Sequence, residues 1–102
     1  MADAAPVEAI QVYWRPGCPY CSSLLRRLRS SGLPLDERNI WKDGEHAAFV
    51  RRHADGNETV PTVAIGDTVL VNPSARTVVG LAEQAGLVAT EQPGGRRLRR
   101  RR

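Results

Sequence analysis

Residues 9–85 alternate between strand-like and helix-like periodicity. This predicts an α/β domain, a four-stranded mixed sheet flanked by three helices in the order β-α-β-α-β-β-α. Three observations carry the expectation. A β-branched and aromatic run stands first, two amphipathic segments separate it from later apolar runs, and a Gly66-Asp67 pair joins two short apolar runs as in a hairpin.

Residues 9–14 (Ala-Ile-Gln-Val-Tyr-Trp) read as the first strand, and Arg15-Pro16-Gly17 breaks it. From Pro19 a helix is expected, because Cys21, Leu24, Leu25 and Leu28 recur at i, i+3, i+4 and i+7 while Arg26, Arg27 and Arg29 fall on the other face. Ser31-Gly32 stops it, with Gly32 as a left-handed cap. Residues 33–40 read as a second strand, with Leu33, Leu35 and Ile40 turned inward. A second helix is expected over 43–54, capped by Asp43 and carrying Ala47, Phe49 and Val50 on its apolar side. Asp55-Gly56-Asn57 is turn chemistry, and residues 60–65 and 68–71 form the hairpin. Asn72-Pro73-Ser74 opens a last helix over 75–85, with Pro73 at its first position and Asn72 as its cap. Strands one and two, joined through a helix, should run parallel with a right-handed crossover.

Composition narrows the function classes. The 102 residues suit one domain, and the 41% hydrophobic and 25% charged shares are ordinary for a soluble one. No apolar stretch approaches the about 18 residues of a membrane span. The opening Met1-Ala2-Asp3-Ala4-Ala5-Pro6 lacks the basic start and apolar centre of a secretory leader, so a cytoplasmic location is expected. Two cysteines do not make a disulfide-stapled scaffold. The net charge of +4 belongs to the end of the chain. Six of the fifteen basic residues are Arg96, Arg97, Arg99, Arg100, Arg101 and Arg102, and the remaining nine face eleven acidic residues. Nucleic acid is therefore not an expected partner of the body. The expected organisation is a flexible N-terminus (1–7), one domain (8–89) and a disordered arginine-rich tail (90–102), for which a solvated end leads over a non-specific nucleic-acid anchor and a contact for an acidic partner.

The chemistry concentrates in Cys18-Pro19-Tyr20-Cys21, at the end of the first strand and the start of the first helix. Unpaired amides and the positive dipole end at a helix start favour an anion, so Cys18 should ionise readily and act as a nucleophile. Arg15 adds positive charge three residues earlier. Cys21, one turn into the helix, is the expected resolving thiol. Half of a zinc site is disfavoured, because no second Cys-x-x-Cys exists and His46 and His53 are remote in sequence. A second signal is Thr59-Val60-Pro61 before a strand, where a cis peptide between Val60 and Pro61 is expected and the Val60 backbone would face Cys18. Trp14 and Trp41 are read as core or rim aromatics, Tyr20 as an exposed ring flanking a groove, and Arg51 and Arg52 as a solvated face.

Cys-Pro-Tyr-Cys at a strand–helix junction, with Gly56-Asn57-Glu58-Thr59-Val60-Pro61-Thr62-Val63 about forty residues on, resembles a glutaredoxin of the thioredoxin fold over residues 9–87. The resemblance implies Cys18 as nucleophilic thiol, Cys21 as resolving thiol, Pro61 as the cis-proline, and Thr59 and Val60 as holders of the ligand backbone. Glutathione-using members carry Gly-Gly and an acidic residue before the last helix. This chain has Leu70-Val71-Asn72-Pro73-Ser74-Ala75 there, and with its Thr-Val-Pro-Thr-Val segment it is similar to the actinobacterial mycoredoxins. That likeness implies a monomeric enzyme with no bound cofactor, using a low-molecular-weight thiol, mycothiol or glutathione, as co-substrate to reduce protein mixed disulfides. Two other functions fit less well: a dithiol redoxin fed by thioredoxin reductase and serving ribonucleotide reductase, and a cluster-holding dimer ligated through Cys18.

Overall fold

The structure, a computed structural model, describes residues 7–89. The flexible start and arginine tail expected from sequence lie outside them, except Val7, which packs against the core. Seven elements follow the expected order: β1 (Ile10–Trp14), α1 (Pro19–Ser31), β2 (Leu35–Asn39), α2 (Gly44–His53), β3 (Thr62–Ile65), β4 (Thr68–Val71) and α3 (Ala75–Gln84). The sheet order is β2-β1-β3-β4. β1 and β2 are parallel, as a helical connection requires, while β3 is antiparallel to both β1 and β4.

This topology gathers four chain segments at one end of the sheet. The carboxyl ends of β1 and β2 lie there because those strands are parallel. β3 runs the other way and starts there, and β4, antiparallel to β3, ends there. The turns before α1 and α2, the approach to β3 and the loop into α3 therefore converge, as crevices do at strand ends in α/β sheets.

Alternation along β1 builds two cores. Ile10 and Val12 face Leu24, Leu25 and Leu28 of α1, Val63 and Ile65 of β3, and Val78 and Ala82 of α3. Tyr13, on the opposite side, joins Ala47 and Val50 of α2, Ala64 and the two cysteines. The buried Tyr13 hydroxyl accepts from Arg38 Nη1 at 3.2 Å, and its ring stacks on Phe49 with centroids 4.6 Å apart. Trp14 packs against both clusters.

α1 is framed as expected. Pro19 stands at its start, where a missing N–H costs nothing, and Gly32 ends it at φ 76°, a left-handed conformation that a side chain resists. α2 is capped by Asp43, whose carboxylate accepts from the Glu45 N–H at 2.9 Å.

Three boundaries differ from the sequence reading. β2 spans only Leu35–Asn39; Leu33 and Ile40 are buried but outside the ladder, and Leu35 is only partly buried. A charged edge strand buries little through its own side chains, so its flanks carry the apolar contacts. β3 begins at Thr62 rather than residue 60, because Pro61 has no N–H to give a ladder. Finally, Ser74 caps α3, its hydroxyl accepting from the Thr77 N–H at 3.2 Å, whereas Asn72 and Pro73 precede the helix. Asn72 takes φ 54° instead, a conformation asparagine tolerates better than most residues, and its N–H donates to the Pro61 carbonyl at 2.8 Å.

Leu28 is fully buried where α1 meets β1 and α3. Leu28→Ala is expected to cost about 2–5 kcal/mol through lost burial and the cavity left behind, read as a large drop in thermal midpoint. Arg29→Ala removes the exposed ion pair between α1 and Glu37 of β2 and should change stability by less than about 1 kcal/mol.

Candidate functional site

Gly17 turns the chain at φ 80° at the end of β1 and delivers Cys18 to the cap of α1. Cys18 is extended (φ −97°, ψ 111°), and its Sγ accepts the Cys21 backbone N–H at 3.3 Å. The sulfur thus occupies the place a serine or aspartate side chain takes in an ordinary cap. Cys21 is buried against the same cluster, and both cysteines are free thiols.

The two thiols are driven apart in acidity. Burial opposes ionisation of Cys18. The Cys21 thiol, the Cys21 and Tyr20 backbone amides and the Arg15 charge all favour the thiolate and together prevail, so Cys18 lies below the usual thiol value. Cys21 is pushed up to about 12 by burial, by its hydrogen bond to Cys18 and by the adjacent negative sulfur; a backbone bond from Arg15 and the Arg15 charge offset this only in part. One group ionises early and its neighbour stays protonated. Such a pair can present a thiolate to a disulfide while holding a second sulfur in reserve.

The Val60–Pro61 peptide is cis, as expected, and the Val60 carbonyl lies 3.8 Å from Cys18 Sγ, accepting from it when it carries a proton. Thr62, fully buried, fastens this loop from behind by donating its hydroxyl to the Thr59 carbonyl at 2.7 Å. From the other side Asn72 holds Pro61. Thr59 therefore spends its carbonyl inside the loop.

Tyr20 is 71% exposed and flanks a groove of about 340 Å³ on the β4 side of Cys18, shared with Ser23, Arg27, Asn72, Ser74 and Arg76. Of these, the sequence singles out Tyr20 as flanking a groove, places Arg27 only on the helix face opposite the apolar one, and gives no role to Ser23 or Arg76. Tyr20, Ser23, Leu24 and Arg27 do share the i, i+3, i+4, i+7 spacing of one helix face, which was the available signal. Arg15 lies on the opposite side, its guanidinium 6.0 Å from the centre of the Trp41 ring. Trp41 is 64% exposed and so lies on the rim, outside the core. His46 meets Tyr13 edge-on, His53 contacts Phe49, and neither forms part of a group of three potential metal ligands among the described residues.

Among known families, the glutaredoxin profile matches residues 10–70. The chain belongs to the glutaredoxin family. This glutaredoxin is 37% identical over 75 residues to Mycoredoxin 1 of Corynebacterium glutamicum, a match covering 72% of the chain and 92% of that protein. It is 34% identical over 59 residues to the hybrid peroxiredoxin hyPrx5 of Haemophilus influenzae, covering 58% of the chain and 24% of that protein. Of solved structures, it resembles the glutaredoxin-like NrdH-redoxin of Escherichia coli (TM-score 0.61, 25% identity, 72% of this chain and 93% of that one). The fold is also that of a mutated buckwheat glutaredoxin (TM-score 0.64, 18% identity, 85% and 87% covered). The protein is thus a thioredoxin-fold thiol-disulfide oxidoreductase close to mycoredoxin. Among the described residues no helix is long and apolar enough to cross a membrane.

Because Cys18 is lowered and Cys21 raised, iodoacetamide should modify Cys18 first, with a rate that reaches its plateau at lower pH than an ordinary thiol. Loss of a positive charge raises a thiol's pKa, so Arg15→Gln should move the midpoint upward. Mass spectrometry of the alkylated protein against pH reads both effects, and equal labelling of the two cysteines would contradict the asymmetry.

Proposed function

We propose that this glutaredoxin removes a low-molecular-weight thiol, mycothiol, from mixed disulfides on proteins, with Cys18 as the attacking sulfur. The observation that carries the reading is the Cys18 sulfur at the cap of α1, favoured as a thiolate and two residues before Tyr20, which lines the groove shared with Arg76. Cys18 thiolate attacks the sulfur of the small thiol. A Cys18–thiol disulfide forms, the original disulfide breaks, and the client protein leaves as a thiolate that takes up a proton from solvent. A second molecule of the small thiol then attacks that sulfur, regenerating Cys18 thiolate and carrying away a symmetric disulfide.

Cys21 offers an internal alternative to that second step. With Cys18 in a disulfide, the negative sulfur that raised Cys21 is gone, but burial still holds the resolving thiol back. External thiol is therefore the faster route. Arg15, Tyr20, Thr59, Val60 and Pro61 are assigned to binding. Arg15 supplies charge, Tyr20 a ring face for the small thiol, and the Thr59–Pro61 backbone the alignment of an extended ligand.

The groove favours mycothiol over glutathione on chemical grounds. Ser23, Asn72 and Ser74 offer hydroxyl and amide groups, Arg27 and Arg76 offer guanidinium donors, and a tyrosine ring closes one side. Those groups suit a hydroxyl-rich sugar. The lining has no acidic residue to meet an α-amino group. Mycoredoxin 1 as a relative supports the same reading. The NrdH-redoxin likeness favours a second one, a dithiol redoxin reduced by thioredoxin reductase and serving ribonucleotide reductase.

Cys18→Ser should abolish reduction of a mycothiolated peptide, while Cys21→Ser keeps much of it; equal loss in both variants would indicate an obligatory dithiol route. Mycothiol with its reductase should sustain faster turnover than glutathione with its reductase, or than thioredoxin reductase with NADPH. Faster turnover with thioredoxin reductase would move the assignment to the dithiol redoxin.

A further inference from the structure

Trp41 combines three properties that the proposed chemistry at Cys18 does not use. It is a large aromatic left 64% exposed, on a surface where such rings mark contact sites more often than chance. It is also held in place. Its backbone N–H donates to Asn39 Oδ1 at 2.9 Å, the Lys42 N–H closes the same turn on the Asn39 carbonyl at 3.1 Å, and the Ile40 N–H donates to the Trp14 carbonyl at 2.9 Å. Third, the Arg15 guanidinium lies over the ring. The cation whose charge reaches Cys18 is therefore the same one that backs Trp41.

The cations on this side stand outside every ion pair among the described residues, although two acids follow them in the chain. Among the described residues Arg15 and Lys42 form no ion pair, whereas Arg29, Arg38 and Arg51 each hold a carboxylate. The nearest acid in sequence, Asp43, is engaged with the Glu45 N–H and with His46 at 3.6 Å, and Glu45 follows in the first turn of α2.

Sheet order separates this surface from the groove. β2, which leads into Trp41, flanks β1 on one side, and β4, which leads into Asn72, lies beyond β3 on the other. A mixed disulfide reaching Cys18 has two halves. With the small thiol in the Tyr20–Arg76 groove, the other half is left on the β2 side. We infer that Trp41, backed by Arg15 and flanked by Lys42, is the docking surface for the polypeptide half of the disulfide, and that it prefers a client segment with acidic residues beside its cysteine. Aromatic contact area supplies the affinity, and a client carboxylate supplies the ion-pair partner that Arg15 and Lys42 lack among the described residues.

This inference rests on the proposed function for the identity of the small thiol, and the test separates the two. The full chain is assayed with three mycothiol mixed disulfides: one on a peptide with glutamates around its cysteine, one on the same peptide with lysines, and one on 2-mercaptoethanol, which has no polypeptide half. The glutamate peptide should show about fivefold higher kcat/KM than the lysine peptide at low salt, and the difference should shrink as salt screens it. Trp41→Ala should raise KM for the glutamate peptide about fivefold or more and leave the 2-mercaptoethanol substrate unchanged. Trp41→Phe should restore most of the loss, and Lys42→Glu should narrow or reverse the charge preference. An equal fall on all three substrates, or no change on the peptides, overturns the docking surface. Failure of every mycothiolated substrate in the wild-type chain refutes the small-thiol reading instead. In that case the Trp41 variants are compared on peptides with an internal disulfide, using thioredoxin reductase and NADPH, where the same KM effect supports the surface and its absence refutes it.

Discussion

The hydrogen bond from the Cys21 backbone N–H to Cys18 Sγ, at 3.3 Å, ties the reactive group to the architecture. It satisfies one of the amides that any helix start leaves unpaired, and it does so with a sulfur that gains from being negative. Helix α1 is therefore capped by the atom it activates. The arrangement needs β1 to end where α1 begins, with one tight turn at Gly17 between them, and it needs the Leu24, Leu25 and Leu28 face to hold the helix against the sheet. Loss of that packing would release the amide that stabilises the thiolate.

Acidity and burial at the pair follow from how the second core is built. Tyr13, Ala47, Val50 and Ala64 close around the cysteines from the α2 side. The cost of that enclosure falls mainly on Cys21, whose thiol remains protonated, and lightly on Cys18, which has amides and Arg15 in compensation. A low-dielectric wall and a helix start work in opposite directions on two sulfurs three residues apart, and their difference in distance from the cap decides which one ionises.

The loops around Cys18 are held by small polar anchors. Thr62 holds Thr59, Asn72 holds Pro61, and Asn39 holds Trp41. Each anchor fixes a backbone segment at the same end of the sheet, so the cleft is shaped before any ligand arrives. The Asn72 bond joins the loop before α3 to the cis-proline loop, and this brings the groove residues 72–76 beside Tyr20.

Much of this was legible in the sequence, for local physical reasons. Alternating periods, the Pro19 and Gly32 helix limits, the Gly66-Asp67 turn and the Cys-Pro-Tyr-Cys placement all depend on neighbours within one element, and the seven elements came out in the expected order. The cis peptide at Val60–Pro61 was expected as well. What the chain order alone left open depends on contacts between elements far apart in sequence. Asn72 was read as a helix cap because its neighbours suit one, yet a carbonyl eleven residues earlier claims its N–H and turns it to positive φ. Ser23, Arg27 and Arg76 became groove residues only when α1 and the α3 loop met. Trp41 could not be assigned to core or rim from its own run, since its exposure depends on which side of β1 the edge strand joins. Local propensity determined the elements and the reactive pair; the order of strands in the sheet, a long-range hydrogen-bonding choice, decided what surrounds that pair.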